Sequence, residues 1–398
     1  MFKNILSVEK AGNHIIFNFF GFKLSIRNKK DRQEIIASKI IQDSLDLGQL
    51  KHAKKIILFL TPYEQKLNGG VMSLFSLCQT TREIVKDAYC CVATYPNGYT
   101  YVINDKFYNT EKVLRFEQIV NKAINVQELI IHIPEYYSSK FYNDLKRSDI
   151  SFLKSVPNLQ LNILNQNIDV MPEPDKLKDL YKLTSNITQT VAHNRYATQE
   201  ICEKYQIPTH LFSVNIDLSK YKTYSFEEKE KIIALSPDEN EYREEIVTKL
   251  KSELSDWEIL TIKNLSFSQY MDLIGRAYFT ITFGEGMDGY FNQPIYVGGI
   301  GVAVYNDDFF PNESWKELKN VYTTYEEMAT NICKDLKEVS LNKDLYIETI
   351  NKQLNKLNEI YVENKYRSNI ERFYAKEYDF EPKAEVQERE TINEFVKV

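Results

Sequence analysis

The stretch FGEGMDGYFNQP, Phe283 to Pro294, follows the apolar run AYFTIT and sets three glycines and two carboxylates at the end of a strand. Gly284, Gly286 and Gly289 let backbone approach a bulky ligand and open a helix, while Glu285 offers a carboxylate to it. Glycines after a strand also turn a chain with no ligand present. An acid without partners at a cleft mouth is destabilising, however, and such groups gather at functional sites.

Three further clusters carry possible chemistry. In TPYEQKLNGGVMSLFSL, Gly69 and Gly70 precede a helix start, where backbone N–H groups and the helix dipole favour an anion. The same pair would serve a tight turn equally well, and the segment has neither a Walker pattern nor G-x-G-x-x-G. LIIHIPEYY ends a strand with His132, Glu135, Tyr136 and Tyr137. There an imidazole facing a cleft would donate to a substrate hydroxyl or leaving-group oxygen; a lone histidine is as readily a structural residue. LNILNQNIDVMPEP ends another strand with Asn165, Gln166, Asn167 and Asp169, suited to sugar hydroxyls or, alternatively, to capping a turn.

These residues need strands to carry them. KKIILFL, AYCCVATY, VQELIIHI and LQLNIL read as short β runs; VMSLFSLCQTTREIV, VLRFEQIVNKAI and SKFYNDLKRS between them have helical apolar spacing. YPNGYTYVINDKFYN reads as a hairpin with turns at Asn97-Gly98 and Asn104-Asp105. A second alternating series runs from KIIALSPDE through YREEIVTKLKSEL, WEILTI, SQYMDLIGRA and YFTITF to GVAVYN, separated from the first by the polar DLSKYKTYSFEEKEK. Alternation of this kind implies parallel sheets covered on both faces, and two such halves enclose a cleft between strand carboxyl ends. The expected division is an N-terminal hairpin and helix (1–50), a first Rossmann-like acceptor domain (51–218), a second Rossmann-like donor domain (219–340), and a charged helical segment with an acidic tail (341–398), read as a solvated helix pair.

Composition limits the function. At 398 residues, 43% hydrophobic and rich in Tyr and Phe, the chain fills two cores. Its net charge of −6 argues against a nucleic-acid partner. The five cysteines show no C-x-x-C pair and read as reduced thiols. Charges come too early for a signal peptide and no run approaches a membrane span, so a cytoplasmic location is expected; the Asn186 sequon then has no consequence. NHIIFNFFGFKLSIRNKKDR reads as two strands around Gly21 ending in Arg27, Lys29, Lys30 and Arg32. That end is a solvated edge or a contact with an anionic membrane surface.

The ordered motifs resemble retaining glycosyltransferases of the GT-B fold, family four. ITQTVAHNRYATQEICEKYQIPTHLFSVNIDLSKY is similar to the segment closing the first domain, with Asn215-Ile216-Asp217 at its end; LNGGVMSLFSL resembles the first Gly-Gly loop, and FGEGMDGYFNQP the E-x7-E donor motif. The resemblance implies that Glu285 binds donor-sugar hydroxyls and that backbone from Gly286 to Tyr290 lies against sugar and diphosphate. The second Glu of the motif, a ribose ligand, falls at Gln293, and SPDENEYR, beginning at Ser236, replaces the phosphate-clamping Arg and Lys and leaves Arg243 or Lys263. His132-Ile133-Pro134-Glu135 stands where relatives have His-x-His-Glu.

The implied catalytic pair is Glu285 and His132. Gly69, Gly70, Ser236, Arg243, Lys263, Gly284, Gly286, Gly289, Tyr290 and Gln293 then serve the nucleotide-sugar, and Glu135, Tyr136, Asn165, Gln166 and Asn167 the glycan or lipid-linked glycan acceptor. No metal or other cofactor is expected, since no Asp-x-Asp pair sits where a metal-dependent enzyme holds one. The leader FNFFGFKLSIRNKK resembles that of bacterial lipopolysaccharide and capsule glycosyltransferases. Two other readings remain: a nucleotide-sugar epimerase using the same cleft, and a degenerate GT-B subunit that scaffolds a glycan-assembly complex.

Overall fold

The structure is a computed structural model that describes residues 6–11, 14–19, 22–27, 36, 40, 43, 47–62, 69–96, 113–213, 218–361 and 363–383. Lys29, Lys30 and Arg32, the turns at Asn97-Gly98 and Asn104-Asp105, Asn215-Ile216-Asp217 and the acidic tail lie outside the described residues.

The first described element is a three-stranded antiparallel meander, β1 (Leu6–Ala11), β2 (His14–Phe19) and β3 (Phe22–Arg27). It has one strand more than the two expected around Gly21. A seven-stranded parallel sheet follows, made of β4 (Lys55–Thr61), β5 (Tyr89–Thr94), β6 (Val113–Arg115), β7 (Glu128–Pro134), β8 (Asn158–Asn165), β9 (Ile187–Val191) and β10 (Thr209–Leu211). The second parallel sheet has five strands: β11 (Glu230–Leu235), β12 (Glu258–Thr261), β13 (Ala277–Ile281), β14 (Ile300–Val304) and β15 (Val321–Tyr322). Val113–Arg115, expected to open a helix, instead pairs with β5, and the helix starts only at Phe116.

Strand order fixes where a ligand can lie. In the first sheet the order is β10-β9-β8-β7-β4-β5-β6, so the chain leaves β4 toward one edge and returns to β7 on the other side. In the second, β12-β11-β13-β14-β15, the same reversal separates β11 from β13. Crevices open at these switch points, outside the strands' carboxyl ends. The described segments there are Gly69-Gly70 at the start of a helix and Glu135 in the first domain, and Ser236 and Gly284–Gly289 in the second.

Alternation along β4 supplies two cores: Ile56, Leu58 and Leu60 enter one cluster, Ile57 and Phe59 the other. The second cluster is covered by helix α1 (Gly69–Ile84), through Val71, Leu74 and Phe75, and by Tyr366, Ile370 and Phe373. Those last three belong to the C-terminal helix Glu363–Tyr374, so the end of the charged segment is a core element and not a solvated helix. The preceding helix Lys343–Ile360 instead buries Tyr346 in the second domain. The chain thus crosses back to the first domain, where Phe380 pairs with Thr209 at the sheet edge.

This return explains His132. On β7 it shares the face of Ile130, its ring is fully buried and stacks on Phe59 at 4.4 Å. Nδ1 accepts from Asn162 Nδ2 at 3.0 Å, leaving Nε2–H to donate to Tyr374 Oη at 2.8 Å. The residue expected in the cleft is a core polar contact, because its register turns it sideways under the C-terminal helix. Burial pushes its pKa down to about 3.

An unfolded histidine titrates near 6.5, so between these values the unfolded chain binds the extra proton. Stability from this residue is full above about pH 6.5 and falls as pH drops toward 3, by up to about 1.4 kcal/mol per pH unit. Urea unfolding of wild type and His132→Gln at two pH values in this window should show the smaller pH dependence in the variant. Equal dependences would mean that the ring is not held neutral.

Candidate functional site

The two switch points face one cleft of about 1810 Å³ lined from both domains. Of the residues singled out in the sequence, Gly69, Gly70, Glu135, Tyr136, Gln166 and Asn167 line its first-domain wall. Lys263, Gly284, Glu285, Gly289, Tyr290 and Gln293 line the other.

The loop leaving β8 ties these pieces together. Gln166 Nε2 donates to Gly70 O at 3.1 Å and to Ser73 Oγ at 2.6 Å, which fixes the first turn of α1. Asn167 N donates to Glu135 Oε1 at 3.0 Å, and Asn167 Nδ2 reaches across the cleft to Glu285 Oε1 at 3.1 Å. Glu135 opens helix α2 (Glu135–Asp144), and burial raises its pKa. Its Oε2 is enclosed, with no hydrogen-bond partner among the described residues. Tyr136 keeps its ring 46% exposed beside it, so it offers the cleft a usable aromatic face.

Glu285 is half-buried, and its pKa is pushed up to about 7, first by desolvation and then by repulsion from Asp288, Asp169 and Asp238. It therefore changes charge near neutral pH. Asp288 caps the helix α3 (Gly289–Tyr296): Oδ1 accepts from Phe291 N at 3.0 Å and Oδ2 from Thr282 Oγ1 at 2.5 Å. Burial raises it to about 6. Gly284 leaves room for these acids, since a Cβ there would lie 3.0 Å from Asp238 Oδ2 and 3.2 Å from Asp288 Oδ2.

Five expected site residues do not line the cleft. His132 is in the core as described. Asn165 is buried and its Nδ2 donates to Gln189 Oε1 at 3.3 Å, within the sheet. Ser236 is fully buried and its Oγ accepts from Phe283 N at 3.0 Å, which joins the two loops of the second domain from behind. Arg243 spends its guanidinium on Ser236 O (2.8 Å) and Thr261 Oγ1 (3.2 Å) and lies over the Phe283 ring. Gly286 has φ +87°, and a Cβ would fall 2.6 Å from Val304 O, so its glycine serves the chain's own turn.

Two residues of the wall had been given no role. Asp238 sits in SPDENEYR as an acid where a cation was sought, and Asp288 is readable as an N-cap ahead of Gly-Tyr-Phe. A third, His193, follows β9 in the segment quoted for the family resemblance. Its ring lines the cleft and meets Phe309 edge-on at 5.6 Å; burial lowers its pKa. Nearby, Tyr196 Oη donates to Asp308 Oδ1 at 2.9 Å, a second polar tie between the domains.

In sequence, the chain matches no family model and no curated protein. Solved structures match it in shape. An α-glucosyltransferase in complex with UDP and a 13-mer DNA containing an HMU base aligns with a TM-score of 0.52 at 10% identity, over 79% of this chain and 98% of that one. Sucrose-phosphate synthase from Thermosynechococcus elongatus aligns with a TM-score of 0.51 at 8% identity, over 81% of this chain and 98% of that one. The chain has the GT-B fold. At such identities the likeness is one of fold. Among the described residues no three His, Cys, Asp or Glu side chains group to hold a metal ion, and no helix is long and apolar enough to cross a membrane.

The acids around Glu285 allow a direct check. Asp288→Asn keeps a capping oxygen for Phe291 N but removes the nearest like charge, so the Glu285 carboxyl should titrate below its value of about 7. Carbon-detected NMR of the side-chain carboxyl reads the midpoint; an unchanged midpoint would remove the charge cluster as a cause.

Proposed function

We propose that the protein is a glycosyltransferase that moves a sugar from a nucleotide-sugar donor to a hydroxyl of a glycan acceptor. The observation that carries this reading is Glu285: a half-buried carboxylate at the second domain's switch point, held across the cleft by Asn167 of the first. Ionised, it accepts hydrogen bonds from donor-sugar hydroxyls and fixes the anomeric carbon against the opposite wall. Gln293 and Tyr290 beside it suit ribose and base contacts.

Charge that develops on the leaving phosphate needs donors in place before reaction. With Arg243 engaged elsewhere, Lys263 and Lys220 are the described cleft cations on the second-domain side, and Gly69-Gly70 at the start of α1 lines the cleft from the first. Retention at the anomeric carbon, a bacterial lipopolysaccharide, O-antigen or capsule acceptor, and work at the cytoplasmic membrane face through the N-terminal meander are supported by the motif and leader resemblances. The division into acceptor domain, donor domain and C-terminal segment belongs to the same reading. The matched α-glucosyltransferase's UDP makes a uridine nucleotide the first donor class to try; its DNA is not carried over, since this chain has a net charge of −6.

A thermal-shift panel of uridine, guanosine, cytidine and adenosine mono- and diphosphates tests the donor site. A ligand at about 100 times its dissociation constant adds ~2.7 kcal/mol of stability. One nucleotide should stabilise the protein, and Glu285→Ala should abolish transfer from the matching sugar nucleotide while the protein still folds. No stabilisation by any nucleotide would remove the reading in favour of a scaffold subunit, and normal turnover by the folded variant would remove Glu285 from the reacting site.

A further inference from the structure

The cleft is larger than its donor requires. Ligand pockets typically measure roughly 300–1,000 Å³, against about 1810 Å³ here. The surplus runs from Gly69-Gly70 along α1, where Ser76, Gln79, Thr80 and Glu83 line it, to Arg367 of the C-terminal helix. From Gly69 to Glu83 that path is about 21 Å at the helical rise.

The composition of this face is unusual for the chain. Charged residues make up 27% of the sequence, yet Gly69 to Thr81 contains none, so the strip is not an ordinary solvated helix face. Gln79 is exposed and Ser76 and Thr80 are half-exposed, giving hydroxyl and amide groups, whereas Met72 and Phe75 are each 3% exposed and leave little apolar surface for a lipid chain. A charged pair closes the far end and is internally neutralised, with Arg367 Nη1 2.9 Å from Glu83 Oε2. At the near end the exposed Tyr136 ring lines the same cleft.

We infer that this arm of the cleft is an extended acceptor groove that takes several units of an uncharged oligosaccharide laid along α1. The inference rests on the glycosyl-transfer reading and adds the acceptor's class. Sugar hydroxyls exchange hydrogen bonds with Ser76, Gln79 and Thr80, and a pyranose face packs on Tyr136, as amphipathic rings do. A chain of uronic or sialic acids gains no cation from Ser76, Gln79 and Thr80 and meets the acidic wall around Glu285, which selects against it.

The full-length chain, labelled and passed over immobilised monosaccharides to hexasaccharides in neutral and uronate-containing series, tests this. Neutral chains of several units should bind about tenfold or more better than single sugars, a gain of ~1.4 kcal/mol. Gln79→Trp, which fills the groove, and Thr80→Lys should lose that gain while melting as wild type and keeping nucleotide stabilisation. Absence of oligosaccharide binding, no dependence on length, preference for the uronate series, or variants that bind as wild type would each overturn the groove. If a nucleotide still stabilises the protein in those cases, only the groove fails; loss of nucleotide stabilisation as well would sink the transfer reading itself.

Discussion

The site depends on the end of β8 and the loop leaving it, Asn165-Gln166-Asn167, and above all on the hydrogen bond that Asn167 sends to Glu285. Three acids surround Glu285, and each disfavours its charged form. The amide across the cleft supplies a donor that favours it. Because the same residue's backbone N–H is taken by Glu135 and its neighbour Gln166 holds the start of α1, the loop sets the positions of both first-domain motifs and the donor-side carboxylate together. A shift of the loop would misplace every wall of the cleft, so its three amides form one mechanical unit.

The two walls differ in charge for reasons visible in their construction. Strand ends of the first domain deliver neutral amides, a tyrosine, a helix start and one carboxyl group, Glu135, whose pKa burial raises. Those of the second deliver Asp238, Glu285 and Asp288, with the guanidinium of Arg243 turned behind them to hold the loops. A carboxylate already caps α3 and accepts from Phe291 N, so a second anion at that helix start meets its charge. Anion stabilisation in this cleft therefore falls to lysine side chains at its rim and to the first-domain wall.

Much of this was legible from the chain. Alternating apolar strands and periodic helices gave the two parallel sheets, since burial on both faces leaves an unmistakable pattern. The FGEGMDGYFNQP motif was legible because glycine, carboxylate and strand end coincide. What the sequence could not show was orientation. His132 and Asn165 lie at strand ends like true cleft residues, but their direction follows from register and from a helix more than 200 positions later, which lays Tyr374 on His132. Arg243 has the right charge at the right distance along the chain, yet a free carbonyl at Ser236 captured it. β6 was hidden because Val-Leu-Arg is too short to separate from the helix it precedes, and the buried face of the C-terminal helix was hidden by its density of charge.

That helix also sets an order of events during synthesis. Domains generally complete from the N-terminal side as the chain emerges. Here one face of the first sheet is covered only in part, by α1, until Tyr366, Ile370 and Phe373 arrive, whereas the second domain's sheet and its covering helices are complete by about Ile360. On a ribosome the later domain can therefore close first, leaving His132 and Phe212 without Phe373 until the helix Glu363–Tyr374 emerges. The early half of the protein is the part that must wait.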